Sequence, residues 1–171
     1  MDLKKHIRGI PDFPIPGILF YDISTLLSNP EAWSHALDLM QQKISKWKPD
    51  LLGGIESRGF LIASALADRM GIPMFMIRKK GKLPGEVISH SYELEYGTDT
   101  VEIQHDAIST ENRIVILDDL LATGGTLAAS IDLCKLAGGE VVGAGLLIEL
   151  DFLNGKEKLS IPHISLMSYS E

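Results

Sequence analysis

Residues 114–126 read Ile-Val-Ile-Leu-Asp-Asp-Leu-Leu-Ala-Thr-Gly-Gly-Thr, and this stretch decides the fold. Its first four residues have the apolar, β-branched character of a buried strand, and the small and polar residues after them indicate a loop that leads into a helix. Gly124 and Gly125 can adopt positive φ and, because they lack a β-carbon, let backbone N–H groups converge on a ligand. The N-terminus of the following helix adds unpaired donors and a favourable dipole, so the stretch predicts a binding loop for a phosphate group.

Two adjacent carboxylates, Asp118 and Asp119, precede this loop. Their negative charge would repel a ligand that is only phosphate. The presence of two carboxylates here is explained if the ligand also has sugar hydroxyls, which donate to carboxylates, or if a magnesium ion binds nearby. Other phosphate loops do not fit, because the chain has no Gly-x-x-x-x-Gly-Lys-Ser/Thr and its Gly143-Ala144-Gly145 falls within an apolar strand.

Outward from this stretch, short apolar runs alternate with helical segments. We predict strands over 51–55, 73–77, 114–117, 141–148 and 164–167, and helices over 59–70, over 127–136 and from Pro30 onward, with Asn29 as the N-cap of the last. This alternation predicts an α/β fold with a central, mostly parallel sheet flanked by helices on both faces. Ligands of such sheets bind beyond the carboxyl ends of the strands.

Two segments depart from the alternation within what we predict to be one domain, 1–171. Residues 1–28, called the hood below, contain several proline residues and predict an irregular segment. Residues 80–105, called the hairpin below, alternate apolar and polar positions on either side of Gly97-Thr98-Asp99, which favours a flexible antiparallel hairpin.

Composition excludes several classes of protein. The net charge of −7 argues against a nucleic acid or an anionic membrane as partner, so an anionic ligand must be held by local groups. No apolar run approaches the ~20 residues of a membrane helix, and the first residues lack the apolar core of a signal peptide, which together predict a cytoplasmic protein. Neither the single Cys134 nor the dispersed histidines favour a metal site made of protein ligands.

Further blocks resemble the phosphoribosyltransferases, and specifically their adenine branch. Residues 114–126 resemble the signature of the whole superfamily. The adenine branch is indicated by Ile-Glu-Ser-Arg-Gly-Phe at 55–60, Ile-Arg-Lys at 77–79 with Gly-Lys-Leu-Pro-Gly at 81–85, and Leu-Glu-Tyr-Gly at 94–97. With residues 13–24 and Glu102-Ile103, these blocks cover nearly the whole chain in the order and spacing of that branch.

The resemblance implies the type I phosphoribosyltransferase fold and a pentosyl-transfer reaction of purine salvage. In that reaction the phosphoribosyl group of 5-phosphoribosyl 1-diphosphate (PRPP) moves to N9 of adenine with inversion, giving AMP and diphosphate. Two alternatives stay open. The base could be xanthine, hypoxanthine or orotate, or the chain could be a regulator that keeps the fold as a ligand sensor.

The resemblance also assigns residues to each part of the substrates. It implies that PRPP and AMP are bound by Asp118, Asp119, Ala122, Thr123, Gly124, Gly125 and Thr126, and the diphosphate by Ser57, Arg58, Arg78, Lys79 and Lys82. It implies that adenine is bound by Leu19, Phe20, Tyr21 and Leu120, although many relatives carry a basic residue at position 21. The residues themselves support part of this, since Arg58 at a helix start opposes the helix dipole and is therefore better explained by an anionic ligand.

The implied catalytic residues are Glu95 and Tyr96 in the hairpin. By the resemblance, Glu95 acts as general acid or base toward N7 of the purine, and Tyr96 helps to close a lid over it. The implied cofactor is Mg²⁺, held mainly by the substrate and not by protein ligands. The resemblance also implies a homodimer.

Overall fold

The computed structural model describes residues 1–170, and its elements follow the predicted alternation. The hood contains β1 (Arg8–Ile10), β2 (Phe20–Asp22) and the short helix α1 (Ser24–Leu27). The remaining elements are α2 (Pro30–Ile44), β3 (Leu51–Ile55), α3 (Arg58–Met70), β4 (Met74–Lys79), β5 (Val87–Glu93), β6 (Thr98–Gln104), β7 (Arg113–Leu121), α4 (Gly125–Leu136), β8 (Glu140–Leu150) and β9 (His163–Tyr169). Short 3-10 turns lie at Leu3–His6, Ser45–Trp47, Asp151–Leu153 and Gly155–Lys158.

The central sheet has seven strands in the order β5-β6-β4-β3-β7-β8-β9. The five strands from β4 to β9 run parallel, and the hairpin strands β5 and β6 extend the sheet as an antiparallel edge. The hairpin pairs with the end of β4, where Arg78 and Lys79 lie opposite Glu102 and Val101. This arrangement confirms the predicted mostly parallel sheet.

Helices cover both faces of the sheet, as predicted. Side chains of α2 and α3, such as Met40 and Leu66, are fully buried against one face, and those of α4, such as Leu133, are fully buried against the other. Helix α2 begins where expected, because the Asn29 side chain accepts a hydrogen bond from Ala32 N at 3.0 Å. Within residues 1–170, no helix has the length and apolar character to cross a membrane.

One close approach between a helix and a strand positions the site. A β-carbon on Gly59 would lie 2.6 Å from the carbonyl oxygen of Leu117, so only glycine lets the start of α3 reach β7 this closely. The approach brings Arg58, the first residue of α3, beside the carboxylates near the end of β7.

The structure differs from the sequence prediction in three segments. Strand β7 continues through Asp118 and Asp119 to Leu121, because the long strand β8 pairs with it as far as Glu149. The hairpin turn spans 94–97 and so begins three positions before the predicted 97–99, since the Leu94 N–H donates to the Gly97 carbonyl at 2.8 Å. The hood is not irregular throughout, because β1 and β2 form a small antiparallel sheet.

Candidate functional site

The predicted phosphate loop, residues 122–126, connects the end of β7 to the start of α4. Gly124 has a φ of 80°, in the left-handed region, and Gly125 is the first residue of α4. The loop lines a cavity of about 180 Å³ at the carboxyl ends of the parallel strands. Eight residues predicted to bind substrate line this cavity: Lys79, Asp118, Leu120, Ala122, Thr123, Gly124, Gly125 and Thr126. The lining also includes four residues that were not predicted: Ile55, Glu56, Leu121 and Leu127.

The backbone of Gly155 packs directly against the backbone of this loop. This contact was not predicted from the sequence. A β-carbon on Gly155 would lie 2.2 Å from the carbonyl oxygen of Ala122 and 2.9 Å from Gly124 N. A β-carbon on Gly124 would likewise lie 2.3 Å from the carbonyl oxygen of Gly155. Two glycines therefore meet backbone to backbone, and the conformation of the phosphate loop depends on a segment about 30 residues further along the chain.

The two aspartates at the end of β7 have different environments. Asp119 is buried and accepts a hydrogen bond from Arg58 Nε at 2.5 Å, forming an ion pair. Asp118 lines the cavity, and its Oδ1 accepts from the Asp119 N–H at 2.9 Å. Burial, reinforced by the neighbouring Asp119 carboxylate, raises the pKa of Asp118. A cation or a set of hydroxyl donors near Asp118 would favour its charged form.

Arg78, Lys79 and Lys82 are called the basic cluster below. The side chains of Arg78 and Lys82 and the backbone N–H of Lys79 converge on Glu56, whereas the Lys79 ammonium pairs with Asp99. Lys82 Nζ donates to Glu56 Oε2 at 2.7 Å, Arg78 Nε lies 3.8 Å from Oε1, and the Lys79 backbone N–H donates to Oε1. Burial alone would raise the pKa of Glu56, but these hydrogen bonds outweigh it and lower the pKa. Glu56 belongs to one of the blocks quoted above, but nothing in its local sequence indicated this role.

Ser57 separates Glu56 from the start of α3, and the Glu56–Ser57 peptide bond is cis. Ser57 and Arg58 lie beyond the carboxyl end of β3, the strand next to β7 in the sheet. The residues predicted to bind diphosphate therefore lie at the carboxyl ends of β3 and β4, on the same edge of the sheet as the phosphate loop.

The residues predicted to bind adenine are divided between two places. The Phe20 ring lies 5.5 Å from the Arg58 guanidinium carbon and meets Phe13 edge to face. Tyr21 stacks on Tyr169 with ring centroids 4.1 Å apart, and with Leu19 it lines a separate apolar cavity of about 280 Å³. Neighbouring strand residues point to opposite faces, so Phe20 and Tyr21 cannot both present their side chains to one ligand.

The hairpin presents its predicted catalytic residues to solvent. Glu95 and Tyr96 lie in the exposed turn, and Tyr96 is 88% exposed. On strand β5, three residues before Glu95, Tyr92 makes hydrogen bonds with Lys79, Asp99 and Thr126. Neither Tyr92 nor Asp99 was predicted as a site residue, and their polar contacts join the hairpin to the phosphate loop.

The charges around Lys79 reinforce one another. Burial alone would lower the pKa of Lys79, but hydrogen bonds to Asp99 and Tyr92 raise it. The hydrogen bond from Lys79 in turn lowers the pKa of Asp99.

Among residues 1–170, no group of three or more His, Cys, Asp or Glu side chains is arranged to hold a metal ion.

The chain is similar to known phosphoribosyltransferases over its whole length. A family model described as "Phosphoribosyl transferase domain" matches residues 22–162. The chain is 57% identical to an adenine phosphoribosyltransferase of Gluconacetobacter diazotrophicus, over all of this chain and 97% of that protein. It is 60% identical to one of Gluconobacter oxydans, over all of this chain and 96% of that protein.

Solved structures show the same similarity. The crystal structure of adenine phosphoribosyltransferase from Thermoanaerobacter pseudethanolicus superposes with a TM-score of 0.94, at 45% identity and with 98% of both chains covered. The Saccharomyces cerevisiae enzyme, complexed with adenine and an imino-altritol bisphosphate, superposes with a TM-score of 0.92 at 38% identity, with 96% of both chains covered.

Proposed function

The chain belongs to the phosphoribosyltransferase family, in its adenine branch, and from this membership we propose how its own residues carry out the reaction. The protein transfers the phosphoribosyl group of PRPP to N9 of adenine, giving AMP and diphosphate. The observation that carries this conclusion is the 57% identity over the complete chain to an adenine phosphoribosyltransferase. The cavity at the phosphate loop, which Asp118, Glu56 and Lys79 also line, supports the assignment of residues.

The 5′-phosphate binds in the phosphate loop. Backbone N–H groups of residues 122–126 and the hydroxyls of Thr123 and Thr126 donate to its oxygens, and the N-terminus of α4 adds a favourable dipole. Asp118 and Asp119 accept hydrogen bonds from the ribose hydroxyls. Because Asp119 is already paired with Arg58, ribose and diphosphate sites share one ion pair.

The diphosphate leaves toward Ser57, Arg58 and the basic cluster. In the transition state the ribosyl C1 becomes cation-like while the departing diphosphate gathers negative charge. The guanidinium and ammonium groups stabilise that negative charge. Before the substrate arrives, Glu56 keeps Arg78 and Lys82 in place, and Asp99 does the same for Lys79. Preorganised groups of this kind need no reorganisation during the reaction.

Mg²⁺ fits this site as a partner of the substrate. The protein offers carboxylate oxygen from Asp118 at the cavity, which is a ligand type that Mg²⁺ prefers, but no complete set of protein ligands. When bound, the ion would neutralise the negative charge that develops on the diphosphate. Asp118 would be the residue that helps to hold the ion, and it also accepts hydrogen bonds from the ribose hydroxyls.

The base lies between Leu120, which lines the cavity, and the Leu19–Tyr21 segment, with Phe20 as the side chain on the Arg58 side. The backbone of this segment meets the edge of adenine, whereas the Tyr21 ring packs on Tyr169. Glu95 serves as general acid or base toward N7, and Tyr96 covers the purine when the hairpin closes. The exposure of both residues leaves them free to move onto a bound ligand.

Three further properties belong to this proposal. The chain forms a single domain over 1–171 that includes the hood and the hairpin, it assembles as a homodimer, and it works in the cytoplasm without a nucleic-acid or membrane partner. Its mass of 18.7 kDa makes the dimer simple to test by light scattering after size-exclusion chromatography. A monomer at every concentration would contradict that part of the proposal.

A base panel tests the function. Adenine, hypoxanthine, xanthine and orotate are each assayed with PRPP and Mg²⁺ for nucleotide formation. A site that hydrogen-bonds an amino group leaves polar groups unpaired with an oxopurine, so we expect adenine to be favoured by about 10²-fold or more in kcat/KM. A preference for an oxopurine or orotate would overturn the assignment to adenine, and no product from any base would overturn the enzymatic function.

A further inference from the structure

We propose that Tyr92 is a positioning residue that couples the phosphate loop to the hairpin carrying Glu95 and Tyr96. Three observations suggest it. The Tyr92 hydroxyl hydrogen-bonds to Thr126 in the phosphate loop, its ring lies over Gly125, and its residue lies on β5, three positions before Glu95. The inference rests on the function proposed above, because it concerns the same phosphate site.

The hydroxyl of Tyr92 has all of its hydrogen-bonding capacity in use. It accepts from Lys79 Nζ at 2.7 Å, lies 3.1 Å from Asp99 Oδ2, and lies 3.0 Å from Thr126 Oγ1. A phenol has one proton and two acceptor lone pairs. When the Tyr92 hydroxyl donates its proton to Asp99, the Thr126 hydroxyl must donate to Tyr92. The Thr126 proton then points away from the cavity.

When a phosphate binds in the loop, the direction of the Tyr92–Thr126 hydrogen bond reverses. Only the two hydroxyl protons turn, and no heavy atom has to move. Either hydroxyl of the Tyr92–Thr126 pair can be the donor. When Thr126 donates to a phosphate oxygen, its own oxygen is free to accept, and the Tyr92 proton turns from Asp99 to Thr126. The result is a chain of hydrogen bonds from Tyr92 through Thr126 to the phosphate, in which each bond polarises and strengthens the next.

The Asp99 carboxylate tolerates the loss of the Tyr92 proton. It keeps the ion pair with Lys79 and its hydrogen bond from the Thr100 N–H at 2.8 Å. Asp99 and Tyr92 face each other across the hairpin as a cross-strand pair. The phosphate therefore strengthens the attachment of the hairpin to the phosphate loop.

Coupling of this kind is reciprocal. If phosphate binding orders the hairpin, then a hairpin that cannot hydrogen-bond to Thr126 must weaken phosphate binding by the same factor. In the arrangement proposed above, adenine lies against Leu120 and the Leu19–Tyr21 segment and contacts neither hydroxyl, so its binding is expected to respond much less.

The first test compares Tyr92→Phe, which removes only the hydroxyl, with Ser91→Ala. Ser91 is the neighbour on β5, and its hydroxyl hydrogen-bonds across the hairpin to Thr100 at 2.9 Å on the solvent side. A net hydrogen bond corresponds to about a threefold to tenfold change in affinity. We expect Tyr92→Phe to raise KM for PRPP by this factor and to leave KM for adenine within about twofold, while Ser91→Ala changes neither.

The second test measures hydrogen exchange of the hairpin amides, with ribose 5-phosphate as the probe. We expect the probe to protect residues 87–104 in the unmodified protein and in Ser91→Ala, and to protect them much less in Tyr92→Phe. Equal protection in all three, or a Tyr92→Phe enzyme with the kinetics of Ser91→Ala, would overturn the coupling. Ribose 5-phosphate needs no turnover, so this result stands apart from the base panel. Absent catalysis with intact coupling would refute the proposed function alone.

A double-mutant cycle with Thr126→Val separates coupling from a general loss of structure. If Tyr92 acts through the Thr126 hydroxyl, adding Tyr92→Phe to Thr126→Val costs little further affinity for ribose 5-phosphate. Additive losses in the two variants would show that Tyr92 acts by another route and would refute the proposal.

Discussion

Substitution of Gly155 by alanine is a sharp test of how the phosphate loop is held. The new β-carbon would lie 2.2 Å from the carbonyl oxygen of Ala122 and 3.0 Å from the Thr123 carbonyl carbon, both of them backbone atoms. To reach an ordinary contact of 3.4 Å, the loop and the Gly155 segment must separate by about 1.2 Å. Gly155 is not among the residues with positive φ, so the effect comes from this contact and not from backbone strain.

Two consequences follow, and both can be measured. Overpacking of this kind costs about 1–3 kcal/mol, which for a chain of this size lowers Tm by about 2–12 °C. Movement of the loop by about 1 Å displaces the donors to the 5′-phosphate, and misplacement on this scale can cost about 10²-fold in rate. We therefore expect Gly155→Ala to lower kcat/KM for PRPP by about tenfold to a hundredfold in steady-state assays.

Gly139→Ala is the matched control. Its β-carbon would lie 2.4 Å from Ile114 Cδ1 and 3.0 Å from Ile108 Cγ2, at the opposite end of β7 from the phosphate loop. These contacts are ends of side chains, which give way more easily than backbone, so thermal unfolding should show a loss of stability without a change in KM for PRPP. If Gly155→Ala also lost stability while keeping unmodified kinetics, the idea that Gly155 supports the loop would be refuted.

Three further predictions concern individual carboxylates. Glu56→Gln is expected to lower the free energy of unfolding by about 1–2 kcal/mol at pH 7, because Arg78 and Lys82 lose their counter-charge. Urea titration measures this, and an unchanged midpoint would contradict it. The pKa of Asp22 is lowered from 3.8 to about 2, first by hydrogen bonds from Ser24 and then by Arg8, so its charged form stabilises the fold above pH 3.8 and that contribution disappears as the pH falls toward 2. Asp22→Asn should cost about 1–2 kcal/mol at pH 7, after allowance for the exposed Arg8 side chain, and much less at pH 2; a gap independent of pH would argue against the ion pair. Glu95→Gln is expected to lower kcat at least tenfold without a change in Tm, whereas the exposed Glu93→Gln nearby should keep full activity, and equal activity of both variants would remove Glu95 from the mechanism.

The sequence predicted the elements that depend on local chemistry. Asn29 and Pro30 start α2 because a capping side chain and a fixed φ act within one turn. Gly71 ends α3 in the left-handed conformation for an equally local reason. Prediction was less accurate for the end of β7, which extends through Asp118 and Asp119 because of its pairing with β8, a partner that local sequence does not reveal.

The position of the phosphate loop follows from residues 114–126 alone, since a strand, two glycines and a helix start are adjacent in the chain and their conformations are local properties. The long-range contacts that hold this loop and the charged groups around it could not be predicted in the same way. Arg58 meets Asp119 across 61 residues and Tyr92 meets Thr126 across 34, while Gly155 and Glu56 act through backbone contact and ion pairs formed with distant segments. Contacts of this range depend on how the packed sheet and helices bring remote residues together, so they exist only once the whole chain has folded.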